Sequence, residues 1–216
     1  MNLDGLDAVI FDFDGVLVES VDVKTEAFAT LYAGHGEAIV TQVRNYHLQH
    51  GGMSRFDKFR YIQTEILGGT PLTKQDTADL AAAFSDLVAD RVVAAPMVAG
   101  ARQFLDRCSG KIPLFIVSGT PTPELRDILT RRHLRAYFAA ALGSPRSKAQ
   151  NIATLLDDHN LCASRCLMIG DAIADQEGAA ANSIRFLGRV AVNAERLFGD
   201  DVVTFKDFTD LPACWR

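Results

Sequence analysis

Apolar residues gather into three short, nearly unbroken runs, AVIFDFD (8–14), IPLFIVS (112–118) and CLMIGD (166–171), each rich in β-branched or large side chains and each closed by a polar group. Runs of this length without alternation describe strands buried on both faces. Weaker runs at AAALG (139–143), IRFLG (184–188) and DVVTF (201–205) can extend the same sheet. Between them the spacing turns helical, in VAGARQFLDRC (98–108), PELRDILTRRH (123–133), KAQNIATLLDDH (148–159) and IADQEGAAAN (173–182). Strand alternating with helix predicts an α/β fold, a parallel sheet flanked by helices.

The interval from Val16 to Pro96 breaks that alternation. It reads as helix after helix, in VDVKTEAFATLYAG (21–34), EAIVTQVRNYHLQH (37–50), RFDKFRYIQTEIL (55–67) and KQDTADLAAAFSDLVADRVV (74–93), punctuated by Gly51-Gly52 and by GGTPL at 68–72. The expected organisation is a core made of 1–15 and 97–216, with an all-helical cap domain, 16–96, inserted after the first strand.

In an open parallel sheet the ligand site lies beyond the carboxyl ends of the strands. The polar ends of the three strong runs meet there: Asp12 and Asp14, then Ser118 with Gly119, then Asp171, with Asp175 four residues on. Each alone reads blandly. Asp14-Gly15 is a common turn, Ser118 and Thr120 can cap a helix, and so can Asp171. Together, four carboxylates aimed at one crevice repel, each pair by about 4 kcal/mol at 4 Å and an effective dielectric of 20. A hard cation that keeps water and phosphate oxygens among its ligands relieves this, which describes Mg²⁺. Lys148, in GSPRSKAQNI, supplies a further positive charge at a helix start, with Arg146 as its rival. Carboxylate, metal, hydroxyl, amide and lysine suit phosphoryl transfer through an aspartyl-phosphate.

Composition narrows the setting. With 216 residues, 48% hydrophobic and 23% charged, the chain has enough apolar surface to hold a core without staples. A net charge of -5 argues against a general nucleic-acid binder. Cys108, Cys162, Cys166 and Cys214 show no C-x-x-C spacing and read as reduced thiols. The opening MNLDGLD lacks the features of a signal peptide, and no apolar run approaches a membrane span. The expectation is a cytoplasmic protein, monomer or homodimer, that touches neither membrane nor nucleic acid.

The segments DFDGVLVES, IVSGT, the Lys148 region and GDAIAD, in that order, resemble the four motifs of the haloacid dehalogenase-like (HAD) hydrolase superfamily, in its capped phosphatase branch of phosphoglycolate phosphatase and beta-phosphoglucomutase. The resemblance implies a Rossmann-like core. It also implies that Asp12 is the nucleophile and Asp14 the acid and base. Mg²⁺ would be held by Asp12, the Asp14 carbonyl and Asp171, with Asp175 in support, and the phosphoryl oxygens by Ser118, Gly119 and Lys148. An aspartate at position 14 points to a phosphatase or phosphomutase, since the true dehalogenases lack it and the phosphonate-cleaving members carry alanine. The third motif departs from the common K-P-x-P, which keeps Arg146 in contention. Glu19 stands where the usual motif has a shorter acid at the cap hinge.

Gly52-Met53-Ser54-Arg55 resembles the specificity loop of capped sugar-phosphate mutases and phosphatases, where an arginine meets a second anionic group of the substrate. Arg55 is therefore the expected substrate-binding cation. Lys58 and Arg60 are expected on a solvated basic helix face. The implied partner is a small phosphorylated metabolite, a sugar phosphate or a phosphoglycolate-like acid. Hexose-phosphate mutases of the family usually carry histidine ten residues after the second aspartate; Lys24 there weakens that alternative. A phospho-aspartate signalling protein is the rival from another class. Its receiver fold is about half as long and has no use for the second aspartate.

Overall fold

The computed structural model describes residues 5–192 and 194–211; Cys214 lies outside them. Strands β1 (Ala8–Phe11), β2 (Leu114–Pro121), β3 (Ala140–Ser144), β4 (Cys166–Gly170), β5 (Arg185–Arg189) and β6 (Thr204–Phe205) form one sheet in the order β3-β2-β1-β4-β5-β6. Every pairing is parallel. The three strongest apolar runs are the adjacent strands β2, β1 and β4, because a strand without a polar face is stable only where both faces are covered.

Alternation divides these strands between two cores. Val9, Phe11, Leu114, Ile116, Leu167 and Ile169 face one side, packed with Phe104 and Leu105 of α5 (Ala101–Cys108) and Leu125 and Ile128 of α6 (Thr122–Arg131). Ala8, Ile10, Phe115, Val117 and Met168 face the other, against Ile152 and Leu155 of α7 (Lys148–Asp158) and Ala179 of α8 (Ile173–Ala181).

Between β1 and β2 the chain is helical, as expected: α1 (Val21–Leu31), α2 (Glu37–Gln49), α3 (Arg55–Tyr61) and α4 (Lys74–Ala94). They close around Phe28, Phe59 and Phe84, whose ring centroids are 4.7 to 6.1 Å apart. This aromatic cluster is continuous with the first core of the sheet. The expected helix 55–67 is α only to Tyr61 and then widens to a π turn over Ile62–Ile66, where the Leu67 amide reaches the Ile62 carbonyl at 2.9 Å.

Element ends differ from the apolar runs in instructive ways. β1 stops at Phe11 rather than Asp14, because the Phe13 carbonyl accepts the amides of Leu17 and Val18 and turns the chain, with Gly15 at φ +75°. The helix expected from Val98 starts at Ala101, after Gly100 at φ +76°. β2 runs past Ser118 to Pro121 through a register shift. The run 201–205 contributes only Thr204 and Phe205. Cys108, Cys162 and Cys166 are free thiols. No helix among the described residues is long and apolar enough to cross a membrane.

Candidate active site

Asp12 follows the last residue of β1, and its amide donates to the Ile169 carbonyl of β4 at 2.9 Å, which fixes the backbone at the sheet's carboxyl edge. The residue is 2% exposed. Its Oδ1 accepts the Phe13 amide at 2.6 Å, and its Oδ2 accepts Lys148 Nζ at 2.7 Å. Lys148 is the first residue of α7, whose start is set by a capping box in which Ser147 Oγ accepts the Gln150 amide and Gln150 Oε1 accepts the Ser147 amide. Its ammonium also donates to Asp175. Burial alone would lower the Lys148 pKa, but the adjoining Asp12 and Asp175 raise it. Arg146, the rival, is exposed and donates to Thr154. Of the two cations, the fold brings Lys148 to Asp12.

Carboxylate oxygens of Asp12, Asp171 and Asp175 all lie within 4.8 Å of one another. Asp171 and Asp175 are both held above the usual carboxylate range, first by burial; Asp12 adds to both, and Lys148 pulls both down without prevailing. One lysine does not neutralise three clustered acids, of which Asp12 and Asp175 are buried. A hard divalent cation fits this donor set, with Asp12 and Asp171 foremost and Asp175, whose Oδ2 accepts the Ala172 amide at 3.1 Å, fixed beside them. Gly15 leaves the space: a Cβ there would fall 2.0 Å from Asp171 Oδ2.

The Asp14 carboxylate is set apart from this cluster. It accepts Ser20 Oγ at 2.6 Å, Thr120 Oγ1 at 3.1 Å and the Lys24 ammonium. Burial would raise its pKa, yet Lys24 and the two hydroxyls outweigh that and leave it lowered. Ser118 is buried with its Oγ accepting the Thr120 amide at 3.1 Å, and Gly119 lines the cavity above.

That cavity, of about 610 Å³, lies between the sheet's carboxyl edge and the helical insertion. Asp12, Asp14, Gly119, Thr120 and Asp171 form its floor, and Phe28, His47, Arg55, Lys58 and Phe84 belong to the helices that roof it. The Gly51-Gly52 loop comes down close to the floor. A Cβ on Gly119 would be 2.7 Å from the Gly52 carbonyl, and one on Gly52, at φ +72°, would be 2.7 Å from Lys148 Nζ.

One expectation about the roof needs correction, that of a solvated Lys58. Arg55 reaches the cavity, but its guanidinium is held by Glu124 of α6 through both terminal nitrogens, at 2.6 and 2.9 Å, and by Ser85 at 2.8 Å. It is not presented as an unattached cation. Lys58, expected in solvent, is 2% exposed and faces the cavity, with its Nζ 2.9 Å from His47 Nδ1. Arg60 is exposed as expected. The cause is the roof's geometry: α3 turns its 55, 58 and 59 side chains inward and leaves 60 outside.

Arg189, at the end of β5, went unread in the sequence. It grips Glu19 with bonds of 2.6 and 3.0 Å and the Gly15 carbonyl at 2.6 Å, so Glu19 ties the first connection into the insertion to the sheet. Thr120 and Lys24 were legible only as residues near motifs; their common contact with Asp14 follows from the fold.

Comparison with known proteins agrees with this geometry. The family model described as haloacid dehalogenase-like hydrolase matches residues 6–182. A 5'-nucleotidase from Pseudomonas aeruginosa is 34% identical over 80 residues, a stretch covering 35% of this chain and 36% of that protein. The solved haloacid dehalogenase-like family protein SP0104 from Streptococcus pneumoniae superposes with a TM-score of 0.68 at 20% identity, over 94% of this chain and 95% of that one. CbbY from Rhodobacter sphaeroides, solved in complex with xylulose-(1,5)bisphosphate, gives 0.70 at 16% identity, over 92% and 93%.

Proposed function

The chain belongs to the haloacid dehalogenase-like hydrolase family, and from that premise we propose that it is a Mg²⁺-dependent phosphatase of small phosphate monoesters, sugar phosphates or phosphoglycolate-like acids, working through an aspartyl-phosphate. The observation that carries the reading is the separation of two carboxylates, two residues apart, into different surroundings. Asp12 lies against Lys148 and the acidic cluster, and Asp14 against Lys24 and two hydroxyls. Distinct environments for neighbouring acids are how one site divides nucleophile from acid and base.

In this mechanism an Asp12 oxygen attacks phosphorus as the ester P–O bond breaks, and Asp14, ionised in the resting site, takes the proton brought by the monoanionic ester and passes it to the departing oxygen. Asp14 then takes a proton from water as that water attacks the phosphorus. The acyl phosphate P–O bond breaks, releasing inorganic phosphate and restoring Asp12. Lys148 keeps Asp12 oriented and offsets charge on the phosphoryl oxygens, with the Gly119 amide and the Ser118 hydroxyl as further donors. Asp12, the Asp14 carbonyl and Asp171, supported by Asp175, would hold Mg²⁺, which when bound supplies Lewis-acid neutralisation of the phosphoryl group. Lys24, in contact with Asp14 where the mutases carry histidine, supports hydrolase over mutase.

The test is phosphate release from p-nitrophenyl phosphate by the wild type and Asp12→Asn, with Mg²⁺ or with EDTA. Release is expected only from the wild type with Mg²⁺. Equal release by Asp12→Asn would overturn the nucleophile assignment.

A further inference from the structure

Lys58 is a buried cation with no ion-pair partner among the described residues. Arg55, Lys148 and Arg189, the other buried lysine and arginine side chains among the described residues, hold Glu124, Asp12 with Asp175, and Glu19. Lys58 has no carboxylate within ion-pair distance among those residues. Its Nζ meets His47 Nδ1 at 2.9 Å and the His47 carbonyl at 3.3 Å, with the Phe28 ring centroid 5.6 Å away. An ammonium has three N–H groups, so one is left for the cavity that Lys58 lines.

His47 extends the donor surface. With Lys58 donating to Nδ1, the neutral ring carries its proton on Nε2, and His47 also lines the cavity. Among the described residues the pair has no carboxylate at ion-pair distance, and Asp171 and Asp14, farther off across the cavity, offset only part of what burial and the neighbouring lysines do to its protonation. Burial, then Lys24 and Lys148, push Lys58 down to about 7, and burial with Lys58 pushes His47 to about 2. A buried ammonium left without an anion is costly, and a bound anion reverses the deficit.

We propose that Lys58, backed by His47, receives a second anionic group of the substrate, a carboxylate or a further phosphate, and that Arg55 does not. Arg55 is instead the closure contact between roof and core, since Glu124 occupies its fork. The proposal rests on the phosphatase reading of the floor and narrows its substrates to esters bearing another acidic group.

Binding to Asp12→Asn tests the subsite apart from turnover. Calorimetric titration compares 2-phosphoglycolate, fructose 1,6-bisphosphate and ethyl phosphate, with and without Lys58→Met. One acidic ester is expected to bind more tightly than ethyl phosphate, and Lys58→Met to weaken it by about tenfold to a hundredfold, the reach of a charged hydrogen bond, and ethyl phosphate by much less. Which acidic ester wins tells carboxylate from phosphate. Arg60→Met, exposed on the same helix, should leave the preference as it was, and Lys58→Arg should restore part of it. No preference in the parent protein, or equal weakening of all three ligands by Lys58→Met, overturns the proposal. Failure of the wild type to hydrolyse any ester would instead count against the phosphatase reading, which the titration does not use.

Discussion

Lys148 Nζ donates to Asp12 Oδ2 at 2.7 Å, joining two side chains 136 residues apart. One comes from the end of the central strand and the other from the first turn of the helix that follows β3, so the contact exists only once β1, β2 and β3 lie side by side. It places a permanent positive charge beneath the carboxylate proposed to attack.

Replacing Lys148 should therefore separate it from its neighbour Arg146. Lys148→Met is expected to lower kcat for p-nitrophenyl phosphate by about a hundredfold to a thousandfold, the loss seen when one preorganised charge-stabilising donor is removed. It should also destabilise the fold by about 3–5 kcal/mol, because Asp12 and Asp175 lose their buried partner. Arg146→Ala should stay within about twofold in rate and about 0.5 kcal/mol in stability. Steady-state kinetics and urea unfolding give both numbers.

Asp171 offers a test through pH and metal. Its pKa is raised by burial, then by Asp12 and Asp175, so the folded protein holds a proton that the unfolded chain has released above its ordinary value of 3.8. Stability from this group is therefore lost as pH rises above about 4. Asp171→Asn removes the loss, and the variant's thermal midpoint should gain on the wild type as pH rises above about 4 in EDTA, until Asp171 has ionised in the folded protein. Saturating Mg²⁺ should raise the wild-type midpoint and barely move the variant's. A difference in midpoint that shrinks with rising pH would refute the charge-crowding account.

Lys24 governs Asp14. Its ammonium is the main influence that outweighs burial and lowers the Asp14 pKa, so Lys24→Met should raise it. Whichever limb of the pH profile of kcat/KM belongs to Asp14 should move to higher pH, by about a unit or more for loss of an adjacent charge. An unmoved profile would separate Lys24 from the acid and base.

The Arg55–Glu124 pair fastens the helical roof to the core, and both partners are largely buried, at 4% and 13% exposure. Glu124→Ala strands a guanidinium and should cost about 3–5 kcal/mol. Arg55→Ala with Glu124→Ala together should cost clearly less than the two changes summed, since neither charge is then left alone. Urea unfolding of the four proteins measures the coupling.

What the residues themselves determined was local in origin. An apolar run buried on both faces must be a central strand, and its polar terminus must stand at the sheet's edge; Asp12 and Asp171 were legible for that reason, and Lys148 through the capped helix it begins. Only the tertiary structure decided among cations of the roof. Arg55 and Lys58 lie one helical turn apart in the same basic stretch, and nothing in that stretch distinguishes a solvated lysine from a buried one. The difference comes from what faces each: Glu124, 69 residues further along, takes Arg55, whereas Lys58 meets the ring and carbonyl of a neutral histidine. Electrostatic fate inside a protein depends on the groups packed opposite, and those are chosen by the fold rather than by sequence neighbours.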